Sequence, residues 1–373
     1  MTQFLRLFPT PHPPQDPVLI DILFQDFSPI IHCREVCALP PHGFVVCRLS
    51  SGGVMADDHD KHSLKHRMEY GFFCFWGWIF AKAPYRLALG VGWGIAWLGH
   101  YVMRYRVRLV YARIREVFPD LSPARVRRVA WQSWRNFIFN IVDTFRLAQV
   151  DDAWLQKHVL NYEESIQRVR ECLGEHRGMV GVSLHMGCAE VIAVFLQRMG
   201  LNVFIVTGRQ KNHLVDDRLN ATRGKTGIAC IPKDAGISLF KQVFQRLRNG
   251  GSLVMLADLR LPTGGVNVDF LGGRASVVPG MGLFAKKSGV PVGTAIITRV
   301  GWTRHRLQVF PRMMADETLS NENDVQRMTQ TVFDIFDHAI REQPEQWFWY
   351  NKNWILAPVR QPHVAAPLTG ESA

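Results

Sequence analysis

From about residue 151 onward, short apolar runs alternate with amphipathic segments. The short runs are rich in β-branched residues, which predicts strands, and the segments between them repeat their apolar positions at helical spacing. Strands are predicted at Met179–Leu184, Val203–Thr207, Ile228–Ile231, Leu253–Ala257, Val290–Val300 and Leu307–Phe310, and helices at Cys188–Met199, His213–Arg223, Ile237–Arg248 and Val325–Arg341. Interleaved strands and helices are typical of α/β proteins, so we expect a mostly parallel central sheet flanked by helices.

Aromatic and other apolar residues are concentrated between Tyr70 and Met103, ahead of the predicted sheet. Two apolar runs, 71–81 and 87–98, are separated by Pro84, and each is shorter than the ~20 residues that a spanning helix needs. The arginine-rich stretch RYRVRLVYARIR follows at once. Aromatic rings and arginines favour the bilayer headgroup region, and basic flanks mark the cytoplasmic side. We therefore expect a membrane-associated segment, spanning or deeply inserted, with a pair of buried core helices as the alternative.

Four regions follow from these patterns. Residues 1–60 are rich in proline and show no sustained period, so a disordered tail is predicted there. Residues 61–150 form a membrane-anchoring basic helical region, which includes a long helix with Ser122 as its N-cap. The α/β domain is expected at 151–358, and a second disordered tail at 359–373.

Charge is unevenly placed along the chain of 373 residues. The formal net charge is +12, and residues 61–150 contain 15 Lys and Arg residues against four Asp and Glu residues. A basic block of this kind fits nucleic acid or anionic lipid. Here the cations alternate with Trp, Phe and Leu at helical spacing, which favours membrane lipids over nucleic acid as the partner. A basic nucleic-acid-binding α/β protein is kept as the alternative.

Cysteine usage and glycine motifs predict neither a metal nor a cofactor. The seven cysteines are an odd number without framework spacing, which indicates reduced thiols in the cytosol. One cluster lacks the paired CxxC of zinc sites; its members are His32, Cys33, Cys37, His42 and Cys47. The glycines of DFLGGRASVVPGMG do not form the G-x-G-x-x-G that follows a strand in dinucleotide-binding proteins.

The stretch GVSLHMGCAE contains the first candidate for chemistry. His185 lies where a buried strand is predicted to end, and Glu190 lies in the first turn of the next helix. Ligands gather at the carboxyl ends of parallel strands, and a carboxylate on one imidazole nitrogen leaves the other as a base. One alternative is a capping histidine beside an ordinary first-turn glutamate. Another is a serine nucleophile at Ser183, although that residue is expected inside the strand rather than at a sharp elbow.

Further polar residues follow the next predicted strands. Asp258 ends an apolar strand, where an unpaired carboxylate would be costly, so we expect it to pair with Arg209 or Arg223. Arg209 follows the second strand and is suited to hold a phosphate or to polarise a carbonyl group. Asn220 and Arg223, on the next helix, are candidates for orienting the substrate.

Four ordered blocks, together with the N-terminal apolar segment, carry a family resemblance. They are H-x4-E at a strand end, GRQKN…NATRGKTG, ADLR…VDFLGGRA and PEQWFWYNKNW. From about Arg67 to Trp354 the chain resembles the late acyltransferases of lipid A biosynthesis, which are inner-membrane enzymes related to the glycerolipid acyltransferases.

The resemblance implies transfer of a fatty acyl group from acyl carrier protein to a hydroxyl of a lipid A-type glycolipid at the inner membrane, with the catalytic domain facing the cytoplasm. His185 would be the general base and Glu190 would orient it, while Arg209, Asn220, Arg223 and Asp258 would bind substrate. A coenzyme A donor, or another lysolipid or glycolipid acceptor, is the alternative. Cys188 is the thiol that would permit a covalent route.

Overall fold

Six strands form one sheet in the computed structural model, which describes residues 64–356. They are β1 (Val180–Ser183), β2 (Asn202–Thr207), β3 (Ala229–Pro232), β4 (Gly251–Leu256), β7 (Val292–Val300) and β8 (Arg304–Val309), in the spatial order β3-β2-β4-β1-β7-β8. Only the β7–β8 pair in this sheet is antiparallel. The expected mostly parallel sheet is confirmed, whereas the two predicted tails lie outside the described residues.

Helices cover both faces of the sheet, which explains why its inner strands β1, β2 and β4 are mostly apolar. Side chains of β1 alternate between two cores: Val180 and Val182 join one core, whereas Met179, just before the strand, joins the other. The helices are α1 (Leu64–Lys82), α2 (Tyr85–Trp97), α3 (Val107–Val117), α4 (Pro123–Arg146), α5 (Asp152–His158), α6 (Tyr162–Leu173), α7 (Ala189–Arg198), α8 (His213–Gly224), α9 (Ile237–Arg248), α10 (Gly280–Ser288) and α11 (Asn321–Glu342).

A small antiparallel hairpin was not predicted from the sequence. It consists of β5 (Val266–Phe270) and β6 (Gly273–Val277), joined by Leu271 and Gly272. Both joining residues have positive φ, 52° and 79°, as a type I′ turn requires. Leucine rarely adopts this conformation, so Leu-Gly does not signal a hairpin in the way that Asn-Gly does.

The aromatic N-terminal segment forms two helices that meet at Pro84. Their inner faces pack on α4 in a cluster of Phe80, Ala88, Leu89, Phe139 and Val142. Arg146 donates to the carbonyls of Phe80 and Ala83, at 2.6 and 2.8 Å, and so satisfies the end of α1. Within residues 64–356 no helix combines the length and apolarity required to cross a bilayer, and the spanning form expected from the sequence is not found there.

The arginine-rich helix α3 packs against the last described residues of the chain. Arg113 is buried and donates to the carbonyls of Trp349 and Asn351, at 2.8 and 2.7 Å, while its guanidinium lies over the ring of Trp354. Burial is the main cause that lowers its pKa to about 10. The spacing of the arginines predicts that Arg113 faces lipid, and this prediction is wrong. Arg113 instead connects the C-terminal aromatic block to α3 through its two hydrogen bonds.

Replacing Arg113 should therefore destabilise the fold. We expect Arg113→Met to lower the free energy of unfolding by about 2 kcal/mol, because two carbonyls lose a charged donor. Urea denaturation followed by tryptophan fluorescence measures the change. Arg115→Met is the matched control: Arg115 is exposed on the same helix, and its loss should stay within about 0.5 kcal/mol. Equal effects of the two substitutions would contradict the connecting role.

Candidate active site

The register of two parallel strands brings His185 and Asp258 together. Ser183 at the end of β1 lies opposite Leu256 at the end of β4. His185 and Asp258 each follow two residues later, so both emerge at the same level of the carboxyl edge. Residues separated by 73 positions in the chain thus become neighbours through strand pairing alone.

The carboxylate of Asp258 is surrounded by donors. His185 Nδ1 lies 2.7 Å from its Oδ1, and the backbone N–H of His185 reaches Oδ1 and Oδ2 at 3.1 and 3.0 Å. The indole Nε1 of Trp347 donates to Oδ2 at 2.8 Å. The side chain of Asp258 is 2% exposed, and burial alone would raise its pKa; the charge of His185 and these hydrogen bonds outweigh burial and lower the pKa.

An ionised Asp258 determines the tautomer of the neutral His185 ring. A carboxylate only accepts hydrogen bonds, so Nδ1 must carry the proton that faces it. The other nitrogen, Nε2, then has the lone pair and is the basic atom. The His185 side chain is 11% exposed and lies at the carboxyl edge of the sheet.

The turn after His185 has two further attachments. The N–H of Gly187 donates to the carbonyl of Gln346 at 3.1 Å, and its own carbonyl accepts from the side-chain amide of Asn140 at 2.6 Å. Gly187 has a φ of 57°, and a Cβ there would lie 2.0 Å from the carbonyl oxygen of Ile297. Glycine is required at this position by both the backbone conformation and the close approach.

Glu190 occupies the first turn of α7 as expected, but its position corrects the role given to it. Its carboxylate accepts from Arg223 at 2.6 and 3.4 Å, whereas Nδ1 of His185 faces Asp258. The β1–β4 register places Asp258, and not Glu190, beside the imidazole ring. The carboxylate of Glu190 accepts instead from the guanidinium of Arg223 on α8. The expected pairing of Asp258 with Arg209 or Arg223 is likewise wrong.

The remaining predicted residues lie on the β2 and β3 side of the same edge. Arg209 pairs with Asp234 at 2.9 Å and is 57% exposed. These two residues also follow paired strand ends by two positions, since Thr207 lies opposite Pro232. Asn220 lies on α8, where its amide donates to Asp216 at 3.4 Å.

Neither nucleophile considered from the sequence has a suitable setting. Cys188 is buried beside α7, and burial is the largest cause that raises the pKa of its thiol well above the ordinary value. It therefore stays a neutral thiol. Ser183 is the last residue of β1 and is buried, as the strand assignment predicted.

Comparison with known proteins decides the family. A sequence model described as bacterial lipid A biosynthesis acyltransferase matches residues 58–355. The chain belongs to this family. It is also similar to phosphatidylinositol mannoside acyltransferase of Mycobacterium tuberculosis, in strains ATCC 25618 / H37Rv and CDC 1551 / Oshkosh. In each case 23% of 254 residues are identical, covering 67% of this chain and 77% of the relative.

The protein is therefore an acyltransferase of the lipid A acyltransferase family. The matched stretch extends from ahead of α1 to the aromatic C-terminal block, so it includes His185, Asp258 and Trp347. Membership of a family of acyltransferases supports the enzyme interpretation over a nucleic-acid-binding protein.

Three contacts of the candidate site were missed by sequence reasoning. Asp258 was singled out as a buried carboxylate, but no local pattern showed that its partner lies 73 residues earlier. Trp347 was noticed only within the aromatic block, and Asn140 not at all. Their partners are set by tertiary packing, and neither lies in a short motif with the residue that it contacts.

The turn makes a prediction about Gly187. Gly187→Ala should strongly reduce folding yield or activity, because the added Cβ must displace the Ile297 carbonyl as well as adopt positive φ. Gly289→Ala is the matched control, since Gly289 also has positive φ (65°) but nothing lies within 4 Å of its Cβ position. The control should cost about 1 kcal/mol in thermal unfolding. Equal losses in the two variants would show that the close approach is unimportant.

Proposed function

We propose that the protein transfers a fatty acyl group from acyl carrier protein to a hydroxyl of a lipid A-type glycolipid, with His185 as general base and Asp258 as its orienting carboxylate. The observation that carries the mechanism is the 2.7 Å contact between His185 Nδ1 and Asp258 Oδ1. Family membership supports the lipid A-type acceptor. The mycobacterial relatives are named for a different glycolipid, so the glycolipid class is better supported than the particular acceptor.

The reaction needs one base and no covalent enzyme intermediate. His185 Nε2 removes the proton from the acceptor hydroxyl as its oxygen attacks the thioester carbonyl. The carbonyl oxygen becomes negatively charged in the tetrahedral intermediate, which collapses and expels the donor thiolate. The imidazolium then returns its proton to that thiolate. Asp258 stabilises the imidazolium between these two proton transfers.

The charged residues around His185 are suited to the substrate. Arg209 is exposed at the same edge, so its guanidinium can bind a phosphate of the acceptor while Asp234 holds its orientation. The Glu190–Arg223 pair joins α7 to α8 and supports one wall of the site. Asn220 lies on the face of α8 that contains Asp216 and supplies a polar group to the same wall.

Membrane contact is proposed for the outer face of the N-terminal helices. Most exposed large apolar side chains in residues 64–356 belong to α1, α2 and the turn after them, including Phe75, Trp78, Leu87, Trp93, Trp97, Tyr101 and Val102. Arg104, Arg108 and Arg115 are exposed just beyond. Trp and Tyr with neighbouring arginines fit the interface of an anionic bilayer, so we place the protein on the cytoplasmic face of the inner membrane.

Substitution of the two carboxylates tests which of them, Asp258 or Glu190, orients His185. His185→Ala and Asp258→Asn should each reduce kcat by about 10²- to 10⁴-fold. Glu190→Gln should cost less, because an amide still accepts from Arg223. The assay follows acyl transfer by purified protein from acyl carrier protein thioester to a lipid A precursor, with mass spectrometry of the product.

Two outcomes would change the account. A larger loss in Glu190→Gln than in Asp258→Asn would restore Glu190 as the orienting group. Turnover with phosphatidylinositol mannoside or with a coenzyme A thioester alone would replace the proposed acceptor or donor and leave the base intact.

Membrane binding should depend on apolar contact more than on charge. The full chain should stay on anionic phosphatidylglycerol vesicles in 1 M salt, because salt does not screen apolar insertion. Replacing Trp78, Trp93 and Trp97 by serine should make sedimentation with vesicles salt-sensitive. Met314→Ser is the control. Met314 is also exposed, and it follows the Val292–Met313 bridge at the amino-terminal edge of the parallel strands, opposite the edge where His185 lies. Release of the unmodified protein by 1 M salt would contradict the proposed surface.

A further inference from the structure

We infer that Trp347 is a positioning residue for the reaction, holding the Asp258 carboxylate in the orientation that serves His185. The inference rests on the proposed roles of His185 and Asp258. It assigns a function to the C-terminal aromatic block, which otherwise packs as part of the core.

The contacts of Asp258 divide into two groups. Three come from His185 itself, through Nδ1 and the backbone N–H. The fourth comes from the Trp347 indole, which donates to Oδ2 at 2.8 Å. A carboxylate can rotate about its Cβ–Cγ bond, and a donor fixed to Oδ2 opposes that rotation. Oδ1 is thereby kept opposite Nδ1.

Trp347 is itself fixed by the turn that carries His185. Met186 and Trp347 form an isolated antiparallel bridge, and the N–H of Phe348 donates to the carbonyl of His185 at 3.1 Å. The carbonyl of Trp347 accepts from Ser133 Oγ on α4 at 2.5 Å. The backbone around the indole is therefore hydrogen-bonded both to the turn that carries His185 and to α4.

The ring of Trp347 has little room to move. It is 4% exposed and makes edge contacts with Phe270 and Trp349, with centroid separations of 6.1 and 4.8 Å. A third contact, with tilted rings, is made with Trp354 at 5.8 Å. These neighbours come from the β5–β6 hairpin and from the same C-terminal block. A rigid donor beside a buried carboxylate costs no reorganisation during the reaction.

The hydrogen bond from Trp347 also favours the ionised form of Asp258. Burial raises the pKa of Asp258, while His185 and then Trp347 lower it. Loss of the indole N–H would raise the pKa of Asp258, because one stabiliser of its ionised form is gone. The carboxylate would then take up a proton at a higher pH than in the unmodified protein.

The chain offers a matched control two residues away. Trp349 is buried as well, and its indole Nε1 donates at 2.7 Å, but to the carbonyl of Pro344. Phenylalanine at either position keeps an aromatic ring and removes one buried N–H donor. A merely structural role for Trp347 therefore predicts that the two substitutions behave alike.

We expect Trp347→Phe in the full-length protein to reduce kcat about 10- to 100-fold, by analogy with the loss of residues that orient metal ligands. The KM values for the thioester and for the glycolipid should be unchanged. Trp349→Phe should retain the kcat of the unmodified protein, and both variants should show similar decreases in Tm. The loss of kcat that accompanies protonation of Asp258 should occur at higher pH in Trp347→Phe alone, because the ionised carboxylate has lost a donor.

A double-variant comparison separates this inference from the proposed function. In an Asp258→Ala background, Trp347→Phe should cause no further loss, because the group through which it acts is gone. Full activity of His185→Ala and Asp258→Ala would refute the proposed function itself. If those two variants are inactive but Trp347→Phe matches Trp349→Phe in kcat and pH profile, only the role of Trp347 is refuted. Additive losses in the Asp258→Ala background would also refute it.

Discussion

A buried carboxylate at the end of β4 is the constraint on which the site depends. Asp258 is removed from water, and such a charge is stable only when hydrogen-bond donors surround it. The parallel register with β1 supplies His185, and the C-terminal block supplies the Trp347 indole. Satisfying Asp258 thus draws together segments that are far apart in the chain, and the histidine that satisfies it acquires a defined tautomer.

The N-terminal helices are connected to this site through α4. Asn140 holds the carbonyl of Gly187, and Asp143, one turn further on, accepts from Tyr85 of α2 at 2.8 Å and from Arg299 of β7. The helices proposed to touch lipid are therefore joined by hydrogen bonds to the turn that follows His185. A glycolipid acceptor drawn from the bilayer would meet a site whose distance from the membrane is set by the same helix.

Sequence patterns predicted the six strands of the large sheet and four helices of the α/β domain, because buried parallel strands and amphipathic helices have distinct apolar periods. They did not predict the β5–β6 hairpin. His185 was found because it follows such a strand at a small-residue turn. The partner of its ring was not found, since H-x4-E is a local pattern and the β1–β4 register is not. Glu190 was the nearer carboxylate in sequence, but Arg223 satisfies it. Arg113 has the same sequence spacing as the exposed arginines of α3, so its burial could not be predicted from the sequence. The burial results from packing against Trp349 and Asn351.

The orientation of His185 by Asp258 can be observed directly by ¹⁵N NMR of histidine-labelled protein, with His185→Gln used to assign the signal. The account predicts that the neutral form of the ring is protonated at Nδ1, with a hydrogen-bonded Nδ1 proton that disappears in Asp258→Asn and persists in Glu190→Gln. A ring protonated at Nε2, or a signal lost in Glu190→Gln and kept in Asp258→Asn, would contradict it.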